Sequence, residues 1–283
     1  MLEYAIRKQL VTFAHRLYER GYLVAMDGNV SARLQGGNFL VSRAACHKGF
    51  LEDRDLVVVD AQGRVVRGEG KPTSELWMHL ACYEERPDVR AILHAHPPQA
   101  IAFTLADTSL ERLVLPEVVL TLGTVPTVPY VTTGTKALAD ALRPFVRDRD
   151  VVMMDRHGAV ALGTDVLDAF CKLETLEHTA RILLHARTLG GAKELPADEA
   201  VRLRSMGLLR YGGPPAAVAL ARGPTADLSP TMLRADDPYP EPGALLPRVP
   251  DAATPFGDDD PVARLARAIQ VEVATALGAR RTS

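Results

Sequence analysis

Apolar and polar positions alternate in distinct periods along this chain, and the periods divide it into helices and strands. Ile6, Leu10, Phe13 or Ala14 and Leu17 recur at helical spacing, so residues 2–20 are predicted to form an amphipathic helix stopped at Gly21. Short β-prone runs follow at Phe39-Leu40-Val41-Ser42, Leu56-Val57-Val58-Val59-Asp60 and Val65-Val66, separated by polar turns. They predict an antiparallel meander, entered through the turn Asp27-Gly28-Asn29 and a strand start in which Ser31 and Arg33 share one face. Lys71-Pro72-Thr73-Ser74-Glu75 reads as a helix start, with Thr73 or Ser74 as N-cap and Glu75 in the first turn, where the helix dipole favours a carboxylate. That helix runs through Leu76, His79, Leu80 and Tyr83 to Pro87, and His79 is assigned to its face rather than to a metal.

The second half repeats the alternation of strand and helix. Val89 to Leu93 is a buried strand halted by Pro97-Pro98. Residues 99–106 are helical, Leu113–Leu122 and Thr127–Val131 are two β-prone runs, and a helix spans residues 136–146. Val151–Met154 and Ala159–Leu162 flank the turn Asp155-Arg156-His157-Gly158. Thr164 is predicted to cap a long helix over residues 165–189, on which Glu174 and His178 form a solvated i,i+4 pair. From residue 211 the pattern breaks. Residues 211–260 are rich in proline and glycine and read as a linker, and residues 261–278 are a short amphipathic helix begun by Asp260-Pro261. Residues 1–210 are thus the expected catalytic domain.

Composition narrows the class. The 283 residues are 47% hydrophobic and 24% charged, with a formal net charge of −2, which suits a globular domain with a sizeable core. No basic excess points to nucleic acid, and no apolar run is long enough to span a bilayer. Cys46, Cys82 and Cys171 are odd in number and scattered, so they form neither a disulfide framework nor a thiolate metal site, and a reducing, cytoplasmic setting is expected.

The candidate chemistry lies at Leu93-His94-Ala95-His96-Pro97-Pro98. Residues two apart on a strand face the same way, so His94 and His96 project side by side, a spacing that suits two imidazoles on one ion. His157, in a turn between two apolar strands, is placed to be a third ligand. Asn29, Ser31 and backbone amides offer an anion grip, as do the hydroxyls at the Thr73-Ser74 helix start.

An ordered set of motifs over roughly residues 3–195 resembles the class II aldolase/adducin family, and within it the fuculose phosphate aldolases. The set is Gly28-Asn29-Val30-Ser31, Lys48-Gly49 before Asp55–Asp60, Lys71–Glu75, Met78-His79-Leu80, His94-Ala95-His96-Pro97, Pro129-Tyr130 and Arg156-His157-Gly158. The resemblance implies a three-layer αβα sandwich around a mainly antiparallel sheet, and a homotetramer with active sites at subunit interfaces. It implies a divalent metal, typically zinc, on His94, His96 and His157, with Glu75 as the acid/base carboxylate. It places a sugar-phosphate pocket at Asn29, Thr73, Ser74 and Ser42. The activity implied is cleavage of a deoxyketose 1-phosphate, such as L-fuculose 1-phosphate, to dihydroxyacetone phosphate and lactaldehyde through a metal-stabilised enediolate. Epimerisation of a pentulose phosphate, dehydration of a methylthioribulose phosphate and decarboxylation of a sugar-acid phosphate are the alternatives on the same scaffold. A non-catalytic adducin-like interaction module is the alternative of another class, and the retained histidines and Glu75 argue against it.

The chain departs from the family pattern twice. Many relatives read Thr-Pro-Ser-Gly where this chain reads Ser42-Arg43-Ala44-Ala45, which makes Arg43 a candidate substitute phosphate ligand. The family's proton-donating tyrosine has no counterpart in Leu113–Glu117. The terminal helix resembles the encapsulation peptides that carry enzymes to the shell proteins of bacterial microcompartments. Packing on the protein's own tetramer is the equal alternative.

Overall fold

Eight strands form one sheet in the order β4-β3-β2-β1-β5-β8-β7-β6 in the computed structural model, which describes residues 2–211 and 213–214. The strands are β1 (Asn29–Arg33), β2 (Phe39–Ser42), β3 (Leu56–Val59), β4 (Val65–Arg67), β5 (Ala91–Ala95), β6 (Thr127–Val128), β7 (Val151–Met154) and β8 (Gly158–Gly163). All neighbours pair antiparallel except β6 with β7. The helices are α1 (Glu3–Glu19), α2 (Leu76–Glu85), α3 (Pro98–Leu105), α4 (Pro116–Thr121), α5 (Lys136–Val146), α6 (Val166–Thr188) and α7 (Ala197–Tyr211). The expected β1–β4 meander and the αβα layering are both present. The linker and terminal helix expected over 211–260 and 261–278 lie, apart from residues 211, 213 and 214, outside the described residues.

The period of two in the strands divides the core. Val30, Leu40, Val58, Leu93, Met153 and Ala161 point to one face and pack with α1, α3 and α6. Phe39, Val41, Val57, Ile92, Val152 and Val160 point to the other, under α2 and α5. Asn29, Ser31 and His94 share the parity of the second set, so they project toward the layer of α2. β5, at the middle of the sheet, is buried along its whole length.

Five expectations need correction. The run Leu113–Leu122 is not a strand: Pro116 opens the helix α4, because proline's missing N–H costs nothing in a first turn and its φ is preset for helix. The strand at Thr127–Val131 stops at Val128, before Pro129. Glu75, not Thr73 or Ser74, is the N-cap residue of α2, and Thr73 Oγ1 instead accepts the Glu75 N–H. α6 is capped by Asp165, whose carboxylate accepts from Asp168 N, while Thr164 donates to the Asp168 carboxylate. The Glu174–His178 pair is replaced by an ion pair of Glu174 with Arg20 at 2.8 Å. No element was expected where α7 runs. Its buried stripe is only Ala200, Leu203 and Leu208, and Gly207 lets it close on α4, since a Cβ there would meet the Leu120 carbonyl.

A buried charge cluster holds the far end of α2. Arg86, 3% exposed, is paired with Asp88 at 2.7 Å and Asp150 at 2.9 Å and donates to the Val146 and Arg149 carbonyls. Asp150 also holds Lys172 at 3.0 Å. Removing one partner of such a cluster strands buried charge. Arg86→Met is therefore expected to destabilise the protein by about 3 kcal/mol, with Lys172 retaining part of the Asp150 interaction. Urea unfolding checks this, and an unchanged midpoint would contradict the assignment.

Candidate active site

β5 and the β7–β8 turn bring the three histidines together. His94 is the fourth residue of β5, its Cα paired with Asn29 on β1 and with Val160 on β8. His96 lies one residue past the strand, where its N–H donates to the Tyr22 carbonyl and Pro97-Pro98 begins α3. His157 closes the three-residue turn between β7 and β8, which Arg156 makes possible by adopting a left-handed φ of 58°. Ring centroids lie 4.9 Å apart for His94–His96, 4.7 Å for His94–His157 and 5.2 Å for His96–His157. Gly158 leaves room for them, since a Cβ there would stand 2.7 Å from His96 Cδ2 and 3.1 Å from His94 Cε1.

The cluster fits a metal ion. His94 Nδ1–H donates to the Ala159 carbonyl at 2.9 Å, which leaves Nε2 as the bare nitrogen of the neutral ring. That Nε2 faces His96 Nε2 at 3.1 Å, and Asp27 Oδ2 stands 3.6 Å from the other nitrogen of His96. Two imidazole nitrogens on one tetrahedral zinc stand roughly 3.3 Å apart. One ligand atom from each of the three histidines lies within 4.8 Å of the others. His157 Nδ1 and Glu75 Oε1 are buried without hydrogen-bond partners, the usual mark of a site built for something it must bind.

Glu75 completes the constellation from the start of α2. Its Oε2 is 3.1 Å from His94 Nε2 and accepts from Asn29 Nδ2 at 2.8 Å, and its Oε1 is 3.3 Å from His157 Nε2. Burial alone would raise its pKa, but His94, His157 and the Asn29 amide outweigh burial and hold the carboxyl well below the usual range. Burial disfavours an imidazolium at His94, yet facing Glu75 raises its pKa on balance. Burial, reinforced by repulsion from a charged His94, pushes His96 down to about 3 and His157 to about 4.

The remaining expected residues divide. Asn29 and Thr73 lie beside Glu75, and Ser42, fully buried, accepts from Val30 N at 3.2 Å while its carbonyl takes Thr73 N–H. Ser74 is exposed next to Gly134. Arg43 is 42% exposed, and its Nε and Nη2 both hold Asp55 Oδ1 at 2.7 Å. His79, expected on the helix face, is not a plain face residue. It is fully buried, donating from Nε2 to Asn29 Oδ1. The signal was in the chain: Asn29 and Ser31 at a spacing of two on a strand, His79 and Tyr83 at four on a helix. Lys48, buried, ties the Asp27 loop in place by donating to the Met26 and Cys46 carbonyls.

Comparison with known proteins agrees with this arrangement. Residues 8–184 match the family model described as class II aldolase and adducin N-terminal domain. An L-fuculose phosphate aldolase of Methanococcus vannielii is 36% identical over 175 residues, 62% of this chain and 93% of that one. A 3-oxo-tetronate 4-phosphate decarboxylase of Escherichia coli is 31% identical over 210 residues, 72% of this chain and 97% of that one. Among solved structures, YgbL of Klebsiella pneumoniae, whose description names aldolase, epimerase and decarboxylase together, superposes with a TM-score of 0.68. It is 32% identical, and the match covers 72% of this chain and 100% of that one.

These protonation equilibria fix how the metal-free protein responds to acid. Unfolded histidines titrate near 6.5, whereas folded His79, His96 and His157 titrate at about 3, 3 and 4. Between those values the unfolded state binds more protons, so stability falls as pH falls. Glu75, with its pKa lowered, adds stability above the ordinary carboxylate range that is lost as pH drops through its folded value. His94, with its pKa raised, acts oppositely: its contribution is complete below about 6.5 and lost as pH rises through the folded value. The chelated protein is expected to have a lower urea midpoint at pH 5 than at pH 7. Equal midpoints would contradict the burial of these imidazoles.

Proposed function

The chain belongs to the class II aldolase and adducin family, and from that premise we propose that it is a zinc-dependent aldolase acting on a deoxyketose 1-phosphate of the L-fuculose 1-phosphate type. Class II aldolases use a divalent metal, and three neutral imidazoles form a ligand set that suits zinc while leaving its charge uncancelled. The observation that carries the reading is the buried, unpartnered Glu75 Oε1 set against three converging histidines.

His94, His96 and His157 would hold the ion, which supplies Lewis-acid stabilisation of the negative charge that develops on substrate oxygen as the carbon–carbon bond breaks. Glu75 stays ionised, the form that accepts a proton. In the condensation direction its Oε1 takes the proton from the reacting carbon of dihydroxyacetone phosphate, and in cleavage it returns that proton to the same carbon. Asn29 holds Oε2 so that the other oxygen is the one presented. The phosphate end is gripped by Thr73, Ser74 and Ser42, with Asn29 able to add one remaining N–H. That grip provides remote binding energy which orients the reacting carbon. Arg43 joins it by exchanging its Asp55 partner for phosphate.

In this reading the enzyme works as a homotetramer with sites at subunit interfaces. Met26 and Phe50, exposed at 58% and 73% on loops that Lys48 joins, are apolar side chains suited to a subunit contact. The amphipathic pattern of residues 261–278 suits docking on shell proteins or packing on the tetramer.

A second reading is decarboxylation of a 3-oxo sugar-acid phosphate. What favours it is coverage: the match to the Escherichia coli decarboxylase takes in 210 residues of aligned chain, against 175 for the archaeal aldolase. The missing tyrosine at Leu113–Glu117 points the same way, since a decarboxylase has no aldehyde oxygen to protonate.

The purified protein is expected to condense dihydroxyacetone phosphate with L-lactaldehyde, and to lose that activity with a chelator or with His96→Ala. Absence of product from metal-loaded protein that releases carbon dioxide from 3-oxo-tetronate 4-phosphate would overturn the aldolase reading in favour of the second.

A further inference from the structure

A chain of buried side chains leads away from the metal cluster into the α2 face of the sheet. Asn29 Nδ2 donates to Glu75 Oε2 at 2.8 Å, and Asn29 Oδ1 accepts from His79 Nε2. His79 Nδ1 meets Ser31 Oγ at 2.7 Å, and Ser31 Oγ meets Tyr83 Oη at 2.9 Å. His79 and Ser31 are fully buried, and Asn29 and Tyr83 are 3% and 2% exposed. Tyr83 also stacks on Phe39 in the core, whereas Asn29, Ser31 and His79 are polar groups in a buried layer.

The direction of every bond in the chain is determined. An ionised carboxylate only accepts, so Asn29 must turn its NH2 toward Glu75 and its oxygen toward His79. The facing nitrogen of His79 must then carry the hydrogen. Burial keeps that ring neutral, with its pKa pushed down to about 3, so it holds a single N–H and its Nδ1 is bare. Ser31 therefore donates to Nδ1, and its oxygen accepts from the Tyr83 hydroxyl. Each of the four bonds then has one donor and one acceptor, and with Glu75 ionised no other assignment pairs them all. A connected buried network of this kind favours one geometry.

We infer that His79 is a positioning residue for Glu75: through Asn29 it fixes which carboxylate oxygen, Oε2 beside His94, takes the amide hydrogen bond and which, Oε1 beside His157, is left without one. The chain also fixes the amide orientation of Asn29, which spends its carbonyl and one N–H on this task rather than on phosphate. The role joins two periodicities. Asn29 and Ser31 lie two apart on β1, His79 and Tyr83 four apart on α2, and the polar row between them registers the helix on the strand. The catalytic consequence rests on the aldolase reading, whereas the hydrogen-bond direction does not.

The test uses His79→Leu, which removes the donor, and His79→Gln, whose amide N–H can reach Asn29. With the metal content equal to wild type, His79→Leu is expected to lower kcat for aldol condensation by about 10- to 100-fold, the range for a misplaced reacting group. KM for dihydroxyacetone phosphate should move less than about threefold, and His79→Gln should regain most of the lost kcat. Unchanged kcat, or a loss confined to KM, would overturn the positioning role. Because His79→Leu could fail to fold, nitrogen NMR of the wild-type imidazole gives an independent measure. The inference requires the Nε2–H tautomer, with a water-shielded proton signal that disappears in folded Asn29→Leu. An Nδ1–H tautomer would overturn it. If the wild type shows no condensation at all, the aldolase reading fails, and the tautomer still decides the hydrogen-bond chain.

Discussion

Three imidazoles and a carboxylate face one another inside the protein, and much of the surrounding architecture follows from holding them there. Such a group is costly to bury by itself. Two histidines are driven to the neutral form, a third leans on Glu75 for its proton, and one carboxylate oxygen and one ring nitrogen are left without partners. Such a cluster persists only where the rest of the chain over-determines it. β5 is flanked on both sides by antiparallel partners, which sets His94 opposite Asn29 and Val160. The tight β7–β8 turn delivers His157, with a glycine next to it where a side chain would collide with the other two rings. A divalent ion held by His94, His96 and His157 would offset that cost, because it would replace the competing proton with a charge that the three nitrogens could share.

The support extends outward through hydrogen bonds rather than packing alone. His94 is oriented by the Ala159 carbonyl, His96 by its own backbone bond to Tyr22, and Glu75 by Asn29. α2 is held at both ends, by the polar row through His79 at its start and by Arg86 among carboxylates at its finish. The stability of this helix and the geometry of the site are thus one problem, since the residue that begins α2 is the acid/base candidate.

Most of this was legible in the chain where a short period carried it. The His94-x-His96 spacing on a strand needed only a rule about which way side chains point, the meander followed from the strand pattern, and the αβα layering was implied by the family resemblance. Less was legible where a residue's role depends on what approaches from afar. His79 reads as an ordinary helix residue until Asn29, fifty positions earlier, is placed against it. Arg43 reads as a candidate phosphate ligand until its Nε and Nη2 are found on Asp55. Leu113–Leu122 shows why apolar composition does not settle an element. The run is β-prone residue by residue, yet a proline at a helix's first position and the close approach of α7 at Gly207 make part of it α4.

The central claim is that His94, His96 and His157 together ligate one divalent ion beside Glu75. X-ray absorption on the zinc-loaded protein tests it directly. The account predicts a first shell with three imidazole nitrogens at about 2.0 Å and no sulfur, reduced to two imidazoles in His157→Ala. A shell containing sulfur, or three imidazoles that survive in His157→Ala, would contradict it.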